Sequence, residues 1–313
     1  MILIWGLPAD PPMTAVRAAL DRRQAQYFFL NQQMALQTRI DFNVGRQVSG
    51  EIECNGELLA VQGISAAYVR PHDSRRLPAV VEAGADSSEF QQAVGVEEAL
   101  LTWCELTDAL VVNRPSAMAS NGSKPYQSTY ARRRGFLTPQ TLITSDAQAA
   151  TAFWERHGNV IYKSTSGVRS IVSRLTPDHL KRFEHLSSCP TQFQEHISGR
   201  DYRVHVVGDA CFACQISSEA DDYRYAHRQN FPDIHIQACE LDADVAHRCR
   251  LLAHGLSQPV AGIDLRRTAD GRWFCFEVNP SPGFTYYENL TAQPIADAIA
   301  DFLVAGVSAP IQY

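Results

Sequence analysis

A short segment near the end of the chain, Val260–Phe284, carries three side chains that could hold a metal ion. Its apolar runs predict two strands, and the Asp-Gly pair between them is a strong signal for a tight hairpin turn. Glu277 and Asn279 lie two residues apart in the second strand, so they share one face. Asp264, in the first strand, joins them if the register is right. Carboxylate and amide oxygens are the hard ligands that suit Mg²⁺, although a solvated hairpin with acidic residues on its wet face explains the spacing equally well.

A second candidate for phosphate chemistry is the segment Val160–Ser170, which predicts a strand, a loop of small polar residues and a return strand. Free N–H groups of such a loop can fold over phosphates, and Ser166 and Gly167 lie at its centre. Lys163 ends the leading strand and could reach the same oxygens. A plain hairpin turn with an exposed lysine is the commoner explanation of this pattern taken alone.

Other residues with chemical potential have weaker signals. Cys211 and Cys214 have the spacing of a metal or redox pair, but in a strand their thiols would point to opposite faces. Arg70, at a strand end, could face a cleft. The long polar segment Ser217–Ile234 has no clear period, and substrate binding or a solvated loop would each explain it. That segment and the residue just after it contain Arg224, His227, Arg228 and His235. Elsewhere in the chain, the basic run Arg132–Arg134 is explained by the solvated C-terminal end of a helix.

The length, composition and charge of the chain limit the classes of protein to which it can belong. The chain has 313 residues, 45% hydrophobic and 20% charged residues and a formal net charge of −6, which is ordinary for a globular protein and gives no global signal for nucleic acid. No apolar run is long enough to span a membrane, and the N-terminus lacks the pattern of a signal peptide. The eight cysteines are therefore expected to be reduced, and the protein is expected to be cytoplasmic.

The elements that must position these residues follow from the periodicity. A strand at Ile2–Trp5, a helix at Thr14–Arg23 and a long helix at Ser88–Thr107 predict an α/β lobe at the N-terminus. The irregular segment Val111–Gln127 marks the end of that lobe. Further helices are predicted at Lys124–Arg134, at Ser145–Arg156 with Ser145 as N-cap, at Thr176–Leu186 with Thr176 as N-cap, at Asp242–His254 and at Ala292–Phe302.

Four blocks in this order resemble the ATP-grasp ligases over nearly the whole chain. They are NRPSAMASNGSKPYQ, VIYKSTSG, QFQEHISGRDYRVHVVGD, and GIDL with FCFEVNPSPGF. The branch that the chain resembles most is the RimK-like one, which contains the ribosomal-protein glutamate ligases and the microviridin-type peptide ligases. The resemblance implies an ATP-grasp fold with an N-terminal pre-ATP-grasp α/β domain at 1–115, a central lid domain at 116–195 and a C-terminal antiparallel-sheet domain at 196–313.

The resemblance also implies a role for each matching residue. Lys124 and Lys163 match the lysines that contact ATP phosphates, and Ser166 and Gly167 lie in the flap over them, which has fewer glycines here than in many members. Arg203 matches the arginine near the γ-phosphate and the acyl centre, and Asp201 lies where the ribose is expected. In the family, the link between the lid sheet and the C-terminal sheet binds adenine. It matches Gln194, Glu195, His196 and Ile197 here. The Mg²⁺ ligands match Asp264, Glu277 and Asn279.

The activity implied is that of an ATP- and Mg²⁺-dependent, ADP-forming carboxylate–amine ligase, with Mn²⁺ as an alternative metal. Its partners would be carboxylate and amine substrates, either small molecules or peptides, with no nucleic acid and no membrane, and the branch suggests a homodimer. Two other interpretations stay open: a phosphotransferase of the same fold that stops at phosphorylation, and a nucleotide-binding regulatory module that has lost ligation. The residues do not fix the substrates.

Overall fold

Both helices and strands occur in the described part of the chain. The computed structural model describes residues 1–164, 172–218 and 234–306. The strands are β1 (Ile2–Gly6), β2 (Tyr27–Asn31), β3 (Thr38–Val44), β4 (Val48–Cys54), β5 (Glu57–Ala60), β6 (Ala66–Arg70), β7 (Leu110–Val112), β8 (Thr141–Thr144), β9 (Val160–Ser164), β10 (Ser173–Arg174), β11 (Thr191–Glu195), β12 (Arg200–Val207), β13 (Ala210–Ser217), β14 (His235–Cys239), β15 (Val260–Arg267) and β16 (Trp273–Asn279). The α-helices are α1 (Pro11–Arg22), α2 (Pro78–Ala83), α3 (Ser88–Leu106), α4 (Pro115–Met118), α5 (Lys124–Arg133), α6 (Ala147–His157), α7 (Pro177–Leu180), α8 (Ala243–Gly255), α9 (Thr285–Thr291) and α10 (Ile295–Ala305).

A parallel sheet of order β2-β1-β6-β7 forms the N-terminal part. Its central strand β1 is buried along its full length, as expected for a parallel strand covered on both faces. Ile2 and Ile4 point to the face covered by α1 and α10, and Leu3 and Trp5 point to the face covered by α3. The small antiparallel sheet β3-β4-β5 adds to this second face.

Two antiparallel sheets form the rest of the molecule. The lid sheet has the order β10-β9-β11-β8, and the C-terminal sheet has the order β14-β13-β12-β15-β16. Each is apolar on one face: Phe193 and Val160 of the lid sheet pack with α6, and Val204 and Ile263 of the C-terminal sheet pack with α8. The opposite faces of both sheets carry polar side chains, which places the candidate site between them.

Several predicted helix boundaries were wrong; α1, for example, begins at Pro11 and not at Thr14. Asp146, not Ser145, is the N-cap of α6, because its carboxylate accepts from the Gln148 N–H at 2.8 Å. The helix predicted at Thr176–Leu186 ends at Leu180 and is followed by a 3₁₀ segment at Phe183–Ser188, although Thr176 does cap it in a box with His179. Ala292 is the left-handed C-cap of α9, and Pro294 sets the start of the next helix at Ile295, because proline cannot continue a helix.

The helices in the described ranges also bear on membrane insertion. None of them combines the length and apolar character that crossing a bilayer would require.

Helix α5, which the sequence groups with the lid segment, packs on the C-terminal sheet. The Gln127 amide donates to the Val278 carbonyl at 2.6 Å and accepts from the Val278 N–H at 3.1 Å.

Candidate active site

The hairpin of β15 and β16 has the register that the metal hypothesis requires. Asp264 lies directly opposite Glu277, and Gly262 lies opposite Asn279. A bulge after Asp264 brings Leu265 opposite Cys275, so Phe276 is the extra residue. Because opposite residues of an antiparallel pair share a face, the side chains of Asp264, Glu277 and Asn279 all project from the polar face of the sheet.

The neighbouring strand β12 places two more polar residues on the same face. Arg203 lies opposite Asp264, and Asp201 lies opposite Arg266. Arg203 as a whole is 5% exposed, and its guanidinium donates from Nη1 to Asp264 Oδ1 at 2.7 Å. A buried arginine with a carboxylate partner is held in one orientation, so Arg203 is fixed beside the candidate metal ligands.

Lys124 reaches the same carboxylates from outside the sheet. It is the first residue of α5, and its ammonium group forms an ion pair with Glu277 Oε1. Both side chains are about one-fifth exposed, at 21% each. The two bonds between Gln127 and Val278 fix α5 against β16, so the position of Lys124 follows from the packing of its helix.

The lid sheet supplies the opposite wall of the site. Lys163 and Ile161 lie opposite Gln192 and Gln194 in the register of β9 and β11, so these four side chains share the face away from α6. A cleft separates the sheets and is lined by Ile161, Lys163, Val172, Gln194, Glu195, His196, Ile197, Asp201, Tyr202, Asp264, Leu265, Arg266, Phe276 and Glu277. Its lining combines apolar side chains with a few convergent polar groups, which is typical of a ligand site.

Hydrogen bonds hold the link from the lid sheet to β12 at both of its ends. The Glu195 N–H donates to the Gln140 carbonyl at 3.0 Å, and the His196 N–H donates to the Asn159 carbonyl at 2.9 Å. Arg266, which the sequence analysis did not single out, donates from Nη1 to the Ile197 carbonyl at 2.7 Å. The same guanidinium makes a bidentate pair with Asp201 at 2.6 and 2.8 Å. Asp201 therefore lines the cleft with both carboxylate oxygens already engaged, and a contact with ribose stays a prediction.

The donor set fits a divalent cation with oxygen ligands. Among the described residues, no group of three or more His, Cys, Asp or Glu side chains could hold a metal, so the site depends on the amide of Asn279. Its Oδ1 accepts from the Ser281 N–H at 3.0 Å, and an amide oxygen has a second lone pair for a cation. Arg203 and Lys124 each engage one oxygen of a carboxylate, which leaves Asp264 Oδ2 and Glu277 Oε2 for coordination.

Beneath Arg203 lies a buried histidine that the sequence analysis missed. Arg203 Nε donates to His205 Nε2 at 3.3 Å, and the ring of Tyr287 lies 5.1 Å from the imidazole and 5.5 Å from the guanidinium carbon. Burial, and then the positive charge of Arg203, lowers the pKa of His205 well below 6.5. The imidazole is therefore neutral at physiological pH and accepts from Arg203. Its place two residues after Arg203 in the strand was the available signal, since such residues share a face.

The lowered pKa of His205 predicts a pH-dependent stability. Below pH 6.5, the ordinary value for histidine, the unfolded chain binds a proton that the folded chain excludes, so stability falls with falling pH. Relative to His205→Gln, the wild-type protein should lose up to about 1.4 kcal/mol of unfolding free energy between about pH 7.5 and about pH 5.5. Urea unfolding at both pH values measures this difference, and an equal loss in both proteins would contradict a neutral buried His205.

Gly262 was also missed, although it makes room for Arg203. A Cβ atom at Gly262 would lie 2.1 Å from Arg203 Nη2, 2.6 Å from its Cζ and 2.8 Å from Pro282 Cβ. A glycine inside a strand signals a close approach of other atoms, so the sequence did contain a hint. The site thus depends on a missing side chain as well as on those present.

The remaining candidates have these outcomes. Arg70 does not extend into the cleft between the sheets but pairs with Asp10 and contacts Ser281. Cys214 is buried on the face of Arg203, where burial raises its thiol pKa to about 12, and Cys211 contacts the Ala246 carbonyl on the α8 side. Ser166, Gly167, Arg224, His227 and Arg228 lie outside the described residues.

Comparisons of sequence give partial matches. A scan against models of protein families gives no match. A segment of 69 residues is 35% identical to a glutathione synthetase of Salmonella typhimurium, covering 22% of this chain and 21% of that protein. A probable alpha-L-glutamate ligase of Rhodopirellula baltica is 27% identical over 218 residues, covering 66% of this chain and 53% of that protein. The matches thus span about a fifth to about half of the length of these curated relatives.

Comparisons of structure cover the whole chain. A RiPP-associated ATP-grasp ligase of Chryseobacterium gregarium, solved with ADP and a leader and core peptide, superposes with a TM-score of 0.82 at 23% identity, over 98% of this chain and 97% of that one. The ATP-grasp ligase PsnB, solved with a minimal precursor, Mg and ADP, gives a TM-score of 0.78 at 27% identity, over 97% and 96% of the two chains. The predicted fold class and the predicted resemblance are confirmed.

Proposed function

We propose, from the premise that this chain has the ATP-grasp fold and resembles the RimK-like ligases, that it is an ADP-forming, ATP- and Mg²⁺-dependent carboxylate–amine ligase. One observation carries the proposal. Two carboxylates and an amide converge on one face of a hairpin, in contact with a buried arginine and a helix-borne lysine. These are the groups that stabilise charge on a phosphoryl group in transfer.

In the proposed reaction, a substrate carboxylate oxygen attacks the γ-phosphorus of ATP. The bond from that phosphorus to the β-phosphate oxygen breaks, and ADP leaves with the bond's electron pair. An amine then attacks the carbonyl carbon of the acyl phosphate, the carbon–oxygen bond to phosphate breaks, and the amine loses a proton. No side-chain nucleophile is required, because both nucleophiles come from the substrates.

The residues of this chain have distinct proposed roles in that sequence. Asp264, Glu277 and Asn279 would hold Mg²⁺, which supplies charge neutralisation and orientation of the phosphates. Arg203 is placed to stabilise negative charge at the transferred group, and its burial leaves it little freedom to reorganise. Lys124, which pairs with Glu277, and Lys163, which lines the lid side of the cleft, would bind phosphate oxygens. The link Gln194–Ile197 would bind adenine, partly through its backbone.

We infer that one of the substrates is a peptide. The support comes from the structural relatives, since the Chryseobacterium gregarium ligase was solved with a leader and core peptide and PsnB with a minimal precursor. Both match almost the entire chain here, including the N-terminal parallel sheet.

Hydroxylamine trapping tests the proposed chemistry. The purified protein is incubated with Mg²⁺-ATP, a panel of acidic peptides, amino acids and small carboxylates, and hydroxylamine, which intercepts acyl phosphates as hydroxamates. A hydroxamate that depends on one carboxylate, formed with an equal amount of ADP, is the expected result. ADP with a stable phosphorylated product would favour a phosphotransferase instead, and AMP with pyrophosphate would contradict the proposal.

A further inference from the structure

The turn that follows the metal-ligand strand is held from the N-terminal parallel sheet. Residues 280–283 come directly after Asn279 and connect β16 to α9. Arg70, the last residue of β6, donates from Nη1 to the Ser281 hydroxyl at 2.7 Å and to the Pro282 carbonyl at 3.3 Å. Asn113, the residue after β7, donates its amide to the Pro280 carbonyl. The ends of two neighbouring parallel strands therefore fix consecutive residues of this turn.

Arg70 is itself fixed by an ion pair inside its own lobe. Its Nε donates to Asp10 Oδ2 at 2.6 Å, and the side chains of Arg70 and Asp10 are only 13% and 12% exposed. A charge-assisted pair with so little exposure is screened weakly by solvent. The guanidinium thus spans from Asp10 to Ser281 with its two bonding directions set by the planar group.

The contact with Ser281 leads directly to a proposed metal ligand. The Ser281 N–H donates to Asn279 Oδ1 at 3.0 Å, which orients the amide oxygen, while the Ser281 hydroxyl accepts from Arg70. Partners outside the ligand shell orient ligands in this way, and their loss costs metal affinity. Asp10, Arg70, Ser281 and Asn279 form one continuous chain of polar contacts from the N-terminal sheet to the site.

We propose that Arg70 is a positioning residue for the metal site, acting through Ser281 to hold the Asn279 amide oxygen in its coordinating orientation. The inference rests on the proposed function, because it assumes that Asn279 binds the metal. It also gives the N-terminal lobe a task in catalysis that is separate from substrate binding: a displacement at the ends of β6 and β7 would alter the geometry of the metal site.

Mn²⁺ binding in the presence of ADP tests the proposal without relying on turnover. Free Mn²⁺ is titrated by its electron paramagnetic resonance signal in the wild-type protein, Arg70→Gln, Ser281→Ala and Ser281→Thr. Arg70→Gln and Ser281→Ala should weaken Mn²⁺ binding by about 10-fold or more. Ser281→Thr keeps the accepting hydroxyl and should restore most of the affinity, which a general loss of packing would not predict.

A matched control comes from the other side of the same lobe. Arg23 of α1 pairs with Asp297 and Asp301 of α10, so Arg23→Gln also removes an arginine that joins the N-terminal lobe to the C-terminal part. This variant should bind Mn²⁺ as the wild-type protein does, and thermal unfolding confirms that each variant is folded.

The outcomes separate this inference from the proposed function. Wild-type affinity in Arg70→Gln, or an equal loss in Arg23→Gln, would overturn the positioning role while leaving the metal site in place. No Mn²⁺ binding by the wild-type protein, or unchanged binding in Glu277→Gln, would overturn the metal site and the positioning role together. Ser281→Ala covers the case in which Arg70→Gln does not fold, because it removes the contact and leaves the ion pair of Arg70 with Asp10.

Discussion

Glu277→Gln is expected to reduce the proposed ligase activity strongly while the protein keeps its fold. The change replaces one carboxylate oxygen by an amide nitrogen at constant shape, so the hairpin register of β15 and β16 should persist. Glu277 faces Asp264 across the hairpin and also pairs with Lys124. Its charge would therefore serve both the proposed metal and the lysine that is proposed to bind phosphate. The turnover rate should fall by about 100-fold or more, the size of loss seen when one preorganised electrostatic group is removed.

A second variant at the same site separates coordination from the ion pair. Asn279→Ala removes an amide oxygen ligand without disturbing Lys124 and should also abolish turnover if the amide coordinates the metal. Both variants are measured by ADP release and by Mn²⁺ binding with ADP present. Full activity in either variant would remove that residue from the metal site.

The control for these variants lies on the same hairpin. Asp270, in the turn between β15 and β16, forms an exposed ion pair with Arg272, and exposed pairs of this kind contribute little to stability. Asp270→Asn therefore removes a carboxylate from the hairpin without touching the site, and wild-type turnover is expected. A loss comparable to that of Glu277→Gln would mean that charge on the hairpin in general, and not coordination, sets the rate.

The sequence suggested the proposed metal ligands, but it did not predict the contacts that orient them. Asp264, Glu277 and Asn279 are found on one face because alternation along a strand is a local property, but their meeting depended on a register that only the structure gives. The parallel sheet and the hairpin also follow from local patterns of apolar residues and turns. The sequence could therefore suggest which groups meet, with the register left open.

Contacts between distant segments explain what the sequence analysis missed. Arg266 contacts Asp201 and the Ile197 carbonyl. Arg70 contacts Ser281, which lies 211 residues further along the chain. Such pairs come together only when the sheets pack, so their separation along the chain does not predict the contact. His205 and Gly262 are intermediate cases: each had a local signal, yet its importance follows from the guanidinium of Arg203 that lies between them.

Arg70, in the N-terminal lobe, also has partners that the sequence did not predict. Arg70 was a candidate for facing the cleft because it ends a parallel strand. Its position at the strand end is confirmed, but its charge is directed to Asp10 and to the turn at Ser281. A substrate carboxylate would have to displace a largely buried internal partner, so Arg70 is better suited to holding the turn than to binding substrate.

Gly262→Ala should reduce catalysis while the protein stays folded. The added methyl group would lie 2.1 Å from Arg203 Nη2, so the guanidinium has to leave its place between Asp264 and His205. Overpacking of a buried position costs about 1–3 kcal/mol of unfolding free energy, which urea unfolding measures. The turnover rate should fall by about 100-fold, because the displaced group is the one proposed to stabilise the transferred phosphoryl group.

A double-mutant cycle shows whether the methyl group acts through Arg203. If it does, adding Gly262→Ala to Arg203→Ala should cost little further turnover, because the group that the methyl displaces is already absent. The control is Gly95→Ala in α3, where a Cβ atom would meet nothing within 4 Å and alanine favours the helix; it should keep wild-type turnover and be at least as stable as the wild-type protein. Additive losses from Gly262→Ala and Arg203→Ala would instead show that Gly262 serves the site by another route, most directly through Pro282, whose Cβ lies 2.8 Å from the added atom.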